Sequence, residues 1–502
     1  MRRTWGVSPL VLFAFIMAAA AAHAGSKEIV VAVGVDATSL DPPISTNITD
    51  KNTTSGIYDT LIYRNAEMKL EPWLATSWRL VDDLTWEFRL RQGIWFHDGE
   101  PFNAEAVKFS LERILDPNLG ARSFAQYTAL SRVDIADPYT VRVITKQPYP
   151  ILPVVMAETW IVPPKYTREK GKEVLARQPI GTGPFRFKEW SRASHITMEA
   201  NREYWRGAPK VEQVTFKVVP EMGARVALLK TGGADIISAV PPHLVKTLED
   251  DPNTRVARVE GARAYFIGIN TFNKGALQDK RVRQALNMGV NVDLILETIF
   301  SKNGKRLATL LTPRHFGYDP SIKPYPYDLE KAKALLAEAG HAKGLTLELD
   351  TPDGRYPLDK EASMAIAGEL AKIGLQVNVK VKEWGNYIDQ FKKSSDLPVH
   401  MYYMGWSIPT FDADAILYAL ATTSTYCRYL DNEVVKQLTQ ARSTMSTPRR
   451  EALYHQALRT MREDAPMIFL YALDDLYGVR KRVNWEPRSD ERILLHEASI
   501  KE

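Results

Sequence analysis

The side chain that looks best suited to hold a charged solute is Arg355, which stands beside Tyr356 in the turn TPDGRYP after the strand-like run LTLELD. In α/β proteins ligands gather at the carboxyl ends of strands, and a guanidinium fork binds a carboxylate through two parallel hydrogen bonds. An exposed arginine that merely follows the Asp353-Gly354 turn is the alternative, and the residues alone favour it. The segment therefore predicts either an anion contact or a solvated turn.

Residues for covalent or metal chemistry are missing from the rest of the sequence. It has no GxSxG elbow, no HExxH or other His/Cys metal spacing, and the glycines of GTGPF, residues 181–185, are not followed by the GK[ST] of a phosphate-binding loop. We interpret Gly181 and Gly183 as structural, and His97 likewise. The sequence predicts no catalytic residue, no dedicated metal site and no cofactor.

The elements that position Arg355 are short strands alternating with helices. Strand-like runs occur at EIVVAVGV, VRVITK, VTFKVV, YFIGIN, LTLELD and LQVNVKV, and helical runs such as KRVRQALNMGV and EASMAIAGELAKIG lie between them. This alternation predicts an α/β protein with parallel sheets covered by helices.

The stretch 72–113, PWLATSWRLVDDLTWEFRLRQGIWFHDGEPFNAEAVKFSLER, changes periodicity twice. Trp86, Phe88 and Leu90 alternate with charged residues, which predicts a strand with one solvated face. After the Asp98-Gly99 turn, Asn103 stands at the N-cap of a predicted helix. The order is strand, turn and capped helix.

That stretch resembles the signature of the extracellular solute-binding proteins of peptide and nickel ABC importers, known as family 5. Further segments resemble the family in the expected order, and together they cover most of the chain beyond the first thirty residues: PIGTGPFRFKEW, NREYWRGAPKVEQVTF, INTFNKGALQDKRVRQAL, YDLEKAKALLAEAG and REALYHQALRTMREDAPMIFL. The resemblance implies a two-lobed periplasmic-binding-protein fold with an extra subdomain inserted in the first lobe and a hinge between the lobes.

On this resemblance we expect the following division of the chain. Residues 25–54, 179–270 and 476–502 form lobe I, residues 55–178 the inserted subdomain, and residues 271–475 lobe II. Two chain crossings, near residues 270 and 472, would then form the hinge, and the ligand would occupy the cleft between the lobes.

The resemblance also implies which residues meet the ligand. Gly405, Trp406 and Ser407 match the glycine and tryptophan that family members present to it; main-chain groups there can pair with a peptide as an added strand does, and the indole offers an apolar wall. Trp406 in the core is the alternative. By the same resemblance Arg355 is the carboxylate contact and Trp384 a second aromatic at the ligand, although Trp384 too is consistent with a core position. Thr46 and Asn47 are the polar candidates from lobe I.

One position departs from the family pattern. Peptide binders of the family carry an aspartate three residues after the tryptophan, which pairs with the α-ammonium group of the peptide, whereas this chain has Pro409. Proline has neither a charge nor a backbone donor. Asp412 or Asp414 is a candidate substitute, while Asp412 is also a candidate N-cap for a helix starting near Ala413. The loop resembles that of glutathione-type members more than that of dipeptide binders.

The N-terminus carries the pattern of an export signal. Arg2 and Arg3 precede an apolar run at 10–17, and Ala22-His23-Ala24 supplies small residues for cleavage, which predicts a signal peptide over 1–24 and a periplasmic protein. Loss of the two arginines lowers the formal charge from +5 to +3. No basic stripe with interleaved aromatics supports nucleic-acid binding. The single cysteine, Cys427, forms no internal disulfide.

These observations predict a monomeric periplasmic receptor that captures a peptide or peptide-like small molecule and delivers it to an ABC permease and ATPase complex in the inner membrane, without covalent chemistry. A receptor for a nickel chelate or an opine-type solute is the alternative. A periplasmic peptidase, a chaperone and a chemosensory binding protein are more distant ones.

Overall fold

The computed structural model describes residues 27–45, 47–393, 399–407, 410–422 and 426–501. The predicted signal peptide, Thr46 and Pro409 lie outside these ranges. Within them, no helix combines the length and the apolarity that a membrane span requires.

A seven-stranded sheet forms the first half of the fold. Its middle strand, Glu28–Val33, pairs in parallel with one neighbour on each side, and the outer pairs are antiparallel. The middle strand is buried on both faces, as its run of β-branched residues predicts. In spatial order the strands are Thr254–Val259, Asp475–Arg480, Ile236–Ile237, Glu28–Val33, Gln213–Val218, His195–Ala200 and Phe185–Ser191.

A six-stranded sheet forms the second half. Leu345–Pro352 pairs in parallel with both of its neighbours, and the remaining pairs are antiparallel. The prediction of parallel sheets is therefore wrong for both sheets, which are mixed. The strands are, in spatial order, Lys305–Arg306, Met467–Ala472, Ala264–Ile269, Met401–Trp406, Leu345–Pro352 and Leu375–Lys382.

Smaller antiparallel sheets complete the strand content. A four-stranded sheet is built from residues between 75 and 145, and two hairpin-like pairs lie elsewhere. The four strands are, in spatial order, Ala75–Asp82, Thr85–Leu90, Thr140–Thr145 and Leu130–Asp137; the two pairs are Ile62–Arg64 with Leu70–Pro72, and Val483–Asn484 with Ser499–Ile500.

The strand and helix predicted between residues 72 and 113 are both present. Phe88 and Leu90 are buried and Arg89 is exposed, as the alternation predicts. Glu87 is the exception, because it is buried against Arg79 and Arg142 at 2.7 and 3.0 Å. The N-cap prediction for Asn103 is confirmed, since its side chain accepts hydrogen bonds from the backbone of the first helical turn.

Helices cover the two larger sheets and the four-stranded sheet. The α-helices of the described chain are Ile48–Ile57, Ala104–Leu115, Leu152–Met156, Pro164–Lys170, Lys172–Leu175, Met222–Thr231, Val245–Glu249, Lys280–Gly289, Val292–Thr298, Leu329–Glu338, Asp359–Ala371, Trp384–Lys393, Ala413–Ala421, Asn432–Ser443 and Thr447–Asp464.

The chain passes between the two large sheets after Val259 and again after Ala472. Strand Ala264–Ile269 pairs within the six-stranded sheet, so the first crossing occupies residues 260–263 and not the predicted position near 270. The two crossings touch: a Cβ atom on Gly261 would lie 2.1 Å from the carbonyl oxygen of Leu473. Only glycine permits this approach, which ties the crossing segments together.

Candidate functional site

The candidate site lies on the strand Met401–Trp406, close to the crossing segments. Gly405 pairs with Tyr265 on the neighbouring strand. A Cβ atom on Gly405 would lie 2.7 Å from the ring of Tyr265 and 2.9 Å from the ring of Tyr356. The missing side chain at Gly405 therefore lets two tyrosine rings close over the strand.

Arg355 and Tyr356 are held by a turn that Asp359 organises. The carboxylate of Asp359 accepts backbone hydrogen bonds from Gly354, Arg355 and Tyr356 at 3.0–3.1 Å. Tyr356 is 5% exposed, and its ring meets those of Tyr265 and Trp384 edge-on at 5.6 and 6.0 Å. The turn thus fixes one residue in the core and presents the preceding one to solvent.

The structure brings Arg355, Tyr356 and Trp384 together. The exposed guanidinium group of Arg355 lies 5.0 Å from the ring centre of Tyr356 and 5.1 Å from that of Trp384. Stacking on two rings orients a guanidinium while leaving its N–H donors free for an anion. The arrangement is suited to binding a carboxylate.

Three charged residues that the sequence did not single out lie beside this group. Arg263, on the first crossing, forms an ion pair of 3.1 Å with Glu491 and donates a 3.4 Å hydrogen bond to the carbonyl oxygen of Gly405. Its guanidinium carbon is 6.0 Å from the ring centre of Tyr356. Asp475 begins the strand that follows the second crossing. We call Arg263, Asp475 and Glu491 the crossing cluster.

The acids of the crossing cluster outnumber its single base. Burial raises the pKa of Asp475 well above its ordinary value, Glu491 raises it further, and Arg263 opposes the shift. The Oδ2 atom of Asp475 is buried and accepts no hydrogen bond from a described residue. A buried carboxylate oxygen without a hydrogen-bond donor is costly, and this cost opposes ionisation of Asp475.

Trp406 and Ser407 lie apart from the Arg355 group. Successive residues of a strand point to opposite faces, and Gly405 faces Tyr356, so Trp406 faces the other way. Its half-buried ring meets that of Tyr426 edge-on at 5.1 Å. Ser407 is half-buried just after the strand ends.

Asp412 and Asp414 are both engaged within the protein. Asp412 is the N-cap of the helix Ala413–Ala421, the role that the sequence offered as an alternative, and it forms a two-pronged ion pair with Arg450 at 2.6 and 2.8 Å. Asp414 lies 3.0 Å from Arg442, and burial raises its pKa to about 6. Both carboxylates are therefore paired with arginines of the protein itself.

Asn47 lies in the first half of the fold. It is exposed at the start of the helix Ile48–Ile57, and its backbone donates a hydrogen bond of 3.1 Å to the hydroxyl of Ser45.

Gly181 and Gly183 have the structural role that the sequence predicts. A Cβ atom on either glycine would lie within 2.6 Å of the carbonyl oxygen of Ile57. His97 bonds the carbonyl oxygen of Gly183 at 2.9 Å, and burial lowers its pKa to about 4. This segment therefore packs backbone on backbone.

Nothing in the crossing cluster was signalled by a motif. Arg263 precedes the apolar strand AYFIGI, Asp475 follows Asp474 between two apolar strands, and Glu491 lies in the C-terminal tail. The sequence shows that Arg263 and Asp475 are charged residues at the ends of apolar strands, but it does not show which residues they pair with.

The fold is mixed α/β, with two chain segments that join two sheets beside a group of aromatic and charged side chains, and this architecture is the one expected of a solute-binding receptor. Residues 69–426 match the model of the bacterial extracellular solute-binding proteins, family 5. The chain belongs to this family, as its sequence segments predict.

Relatives and solved structures agree with this assignment. The glutathione-binding protein GsiB of Escherichia coli O1:K1 is 30% identical over 456 residues, with 88% of each chain covered. The protein HbpA2 of Haemophilus parasuis is 27% identical with a TM-score of 0.84, covering 95% of this chain and 100% of that one. The ABC transporter-associated periplasmic binding protein DppA of Helicobacter pylori, in complex with the peptide STSA, is 28% identical with a TM-score of 0.79, covering 95% and 98%. The predicted two-lobed fold and the predicted class of function, solute binding, are confirmed.

Proposed function

We propose that the protein is the periplasmic receptor of an ABC importer and that it captures a peptide-like zwitterion. One observation carries the choice of ligand: a single ring, that of Tyr356, has the free guanidinium of Arg355 within 5.0 Å and the crossing cluster's Arg263 within 6.0 Å. The ring of Tyr356 therefore lies next to an exposed guanidinium group and next to the one base of a cluster that also holds two acids.

In this proposal each end of the solute meets its complement. Arg355 binds a carboxylate of the ligand, and Asp475 receives its ammonium group in the role that Pro409 leaves unfilled. Tyr356 and Trp384 contact the part of the ligand that lies between its carboxylate and its ammonium group. Main-chain groups at Gly405 and Ser407, the ring of Trp406, and lobe I residues Thr46 and Asn47 stay predicted contacts, and Asp412 becomes a structural residue.

The position of the crossing cluster couples binding to closure. Arg263 lies on one segment that joins the two sheets and Asp475 directly follows the other, so a ligand held there interacts differently with the open and the closed arrangement. Closure follows from that difference in affinity alone. A micromolar affinity corresponds to about 8 kcal/mol, which a charge-assisted contact at each end and an apolar wall supply together.

The relatives support a peptide-like cargo. GsiB binds glutathione, and DppA was solved with a tetrapeptide. The localisation, the cleavable signal at 1–24, the monomeric state, the delivery to a permease and ATPase and the lack of covalent chemistry belong to the same proposal.

The experiment uses chemically blocked ligands. Protein lacking residues 1–24 is unfolded, refolded free of bound ligand and screened by thermal shift against glutathione, dipeptides and tripeptides, and hits are measured by calorimetry. Each hit is then compared with its N-acetyl and its C-amide form. We expect each block to weaken binding at least tenfold, since each removes one charge-assisted hydrogen bond. A ligand that binds equally well with both ends blocked would overturn the zwitterion site. Cleavage of a bound peptide would support the alternative that the protein is a peptidase.

An opine-type solute is the second candidate. The binding protein AgaA, solved in complex with agropinic acid, is 26% identical with a TM-score of 0.77, covering 95% of this chain and 99% of that one. Agropinic acid is therefore a separate arm of the same screen. A nickel chelate forms another arm, because among the described residues no group of three His, Cys, Asp or Glu side chains is arranged to hold a metal directly.

A further inference from the structure

A pocket of about 550 Å³ lies between the four-stranded sheet with its neighbouring hairpin, residues 62–72, and the loops and long helix beside the six-stranded sheet. One wall comes from the hairpin strand Ile62–Arg64, from Trp86 and from the helix Leu152–Met156. The other comes from Arg314, from residues 410–412 and from the helix Thr447–Asp464. Its volume is that of a small-molecule site. We call it the subdomain pocket.

The polar atoms of the subdomain pocket that lack partners are almost all hydrogen-bond donors. Arg64 is 3% exposed, and its Nε and Nη2 atoms are buried with no hydrogen-bond partner among the described residues. The Nε1 atom of Trp86, the Nε atom of Arg314 and the hydroxyl of Thr410 are in the same condition. Buried donors of this kind are normally satisfied, and here all of them belong to side chains that line the same pocket.

The charge of the pocket has the matching sign. Its lining holds three arginines and one acid. That acid, Asp412, forms an ion pair with Arg450, which is one of the three arginines. Arg64 makes one hydrogen bond with a described residue, in which its Nη1 atom donates to the carbonyl oxygen of Thr410 at 2.9 Å. Glu158 acts on Arg64 electrostatically but bonds Lys51 and Arg492 instead. Arg314 and the remaining atoms of Arg64 thus have no acidic hydrogen-bond partner among the described residues.

The remainder of the lining is apolar. Met68, Leu70, Val154, Phe316, Phe411 and Met445 surround the donors. Donors without acceptors select an oxyanion, and the apolar walls select a hydrocarbon body attached to it.

We propose that the subdomain pocket is a second ligand site, which binds an organic carboxylate with an aromatic or aliphatic body through Arg64, Arg314, Trp86 and Thr410. The acid is either a free molecule or the far end of a long cargo molecule held at Arg355. In both cases it contacts both walls of the pocket and stabilises their association. The site deepens the proposed function without depending on the zwitterion contacts.

The test uses 4-(4-fluorophenyl)butanoate and its neutral amide as probes. Their binding to the protein lacking residues 1–24 is measured by the broadening of their ¹⁹F NMR lines. We expect the acid to bind at least tenfold more tightly than the amide. Arg314→Met should weaken the acid at least tenfold; the Arg314 side chain makes no hydrogen bond with a described residue, so this variant should fold. Arg64→Met and Thr410→Val provide the second and third readings, each checked for folding by circular dichroism.

Arg355→Met separates the two sites. If the acid binds this variant as it binds the parent, the subdomain pocket is a separate site for a free acid. If a long peptide with an acidic end loses affinity in both Arg314→Met and Arg355→Met, one cargo spans both sites.

No broadening with the parent protein, equal binding of acid and amide, or loss of the acid in Arg355→Met with no change in Arg314→Met would overturn the proposal. Each of these results leaves the calorimetry on blocked peptides untouched. Failure of the second site is therefore distinguishable from failure of the proposed function.

Discussion

Two charge clusters in this molecule are built in opposite ways. In the first, which we call the latch cluster, Glu158 is surrounded by Lys51, Arg492 and Arg64, and its carboxylate accepts from the first two at 3.0 and 2.7 Å. In the crossing cluster, two acids share the single base Arg263. Bases outnumber the acid in the latch cluster, whereas acids outnumber the base in the crossing cluster.

The pKa values of the two acids move in opposite directions. Burial by itself would raise the pKa of Glu158, but Arg492, Lys51 and Arg64 bring it to about 2. Burial raises the pKa of Asp475, and Arg263 does not reverse the shift. A carboxylate with basic partners stabilises the fold. A carboxylate without them destabilises the fold, and a ligand that supplies a cation can remove that destabilisation.

The positions of the clusters agree with this difference. The latch cluster joins the helix Ile48–Ile57, the strand Ile62–Arg64, the segment after the helix Leu152–Met156 and the C-terminal tail. The crossing cluster lies where the chain passes between the sheets. We infer that the first cluster is structural and that the second contributes to the function.

The largest expected effect is on the latch cluster. Glu158→Gln leaves Lys51 and Arg492 buried without a counter-charge, which should lower the free energy of unfolding by about 3–5 kcal/mol in urea denaturation at pH 7. Because the folded pKa of Glu158 is depressed to about 2 from 4.5, its contribution is present above pH 4.5 and is lost as the pH falls toward 2. The variant should therefore show a weaker loss of stability with acid than the parent.

The control is Glu203→Gln. Glu203 lies 3.4 Å from Arg186 and its side chain is 87% exposed, so its removal should change stability by less than about 0.5 kcal/mol. Equal effects of the two variants would show that the latch cluster is not structural.

Gly405→Ala tests the aromatic wall beside the crossing cluster. The new methyl group would meet the rings of Tyr265 and Tyr356 at 2.7 and 2.9 Å, and overpacking of this kind costs about 1–3 kcal/mol. Gly223→Ala is the matched control, since nothing lies within 4 Å of its Cβ position in the helix Met222–Thr231 and alanine should be neutral or slightly stabilising there. If urea denaturation gives the same result for both variants, the close packing over Gly405 is not rigid.

The sequence predicted what depends on neighbouring residues. The N-cap at Asn103, the strand that contains Phe88 and the capping role of Asp412 all follow from patterns within a few positions. The family segments then supplied the two-lobed fold, which no local pattern contains.

The sequence could not predict what depends on distant partners. Arg263 and Glu491 are 228 positions apart, so their pairing exists only after the tail has folded across the crossing. Glu87 is buried in a strand position that its alternation makes solvent-facing, because Arg79 and Arg142 on the neighbouring strands cover it. Charge compensation of this kind has no signature in the spacing of residues.

Arg355→Met sharpens the comparison by separating binding from stability. Arg355 is exposed, so the free energy of unfolding should change by less than about 0.5 kcal/mol. Affinity for a carboxylate ligand should fall more than tenfold, as one charge-assisted hydrogen bond contributes about 1.5–3 kcal/mol. Calorimetry measures the affinity, and Arg192→Met, which removes an exposed arginine stacked 3.7 Å from the ring centre of Trp190, should leave it unchanged. Unchanged affinity in Arg355→Met would remove Arg355 from the site.

The smallest expected effect is a gain. In the ligand-free protein the raised pKa of Asp475 means that the folded state holds a proton that the unfolded state releases, so stability declines as the pH rises through the folded pKa. Asp475→Asn removes this decline, and should raise the free energy of unfolding by about 1 kcal/mol at pH 7.

The same substitution should weaken ligands that carry an ammonium group and spare their N-acetyl forms. Affinity of the parent for the ammonium ligand should fall as the pH drops through the raised pKa, with Glu491, Asp474 and Arg263 as the charged groups that also act on Asp475. Thermal unfolding and calorimetry over a pH series measure both effects. A variant that is less stable than the parent at pH 7 would place Asp475 with Glu158 as a structural residue, and the difference between the two clusters would no longer mark the ligand site.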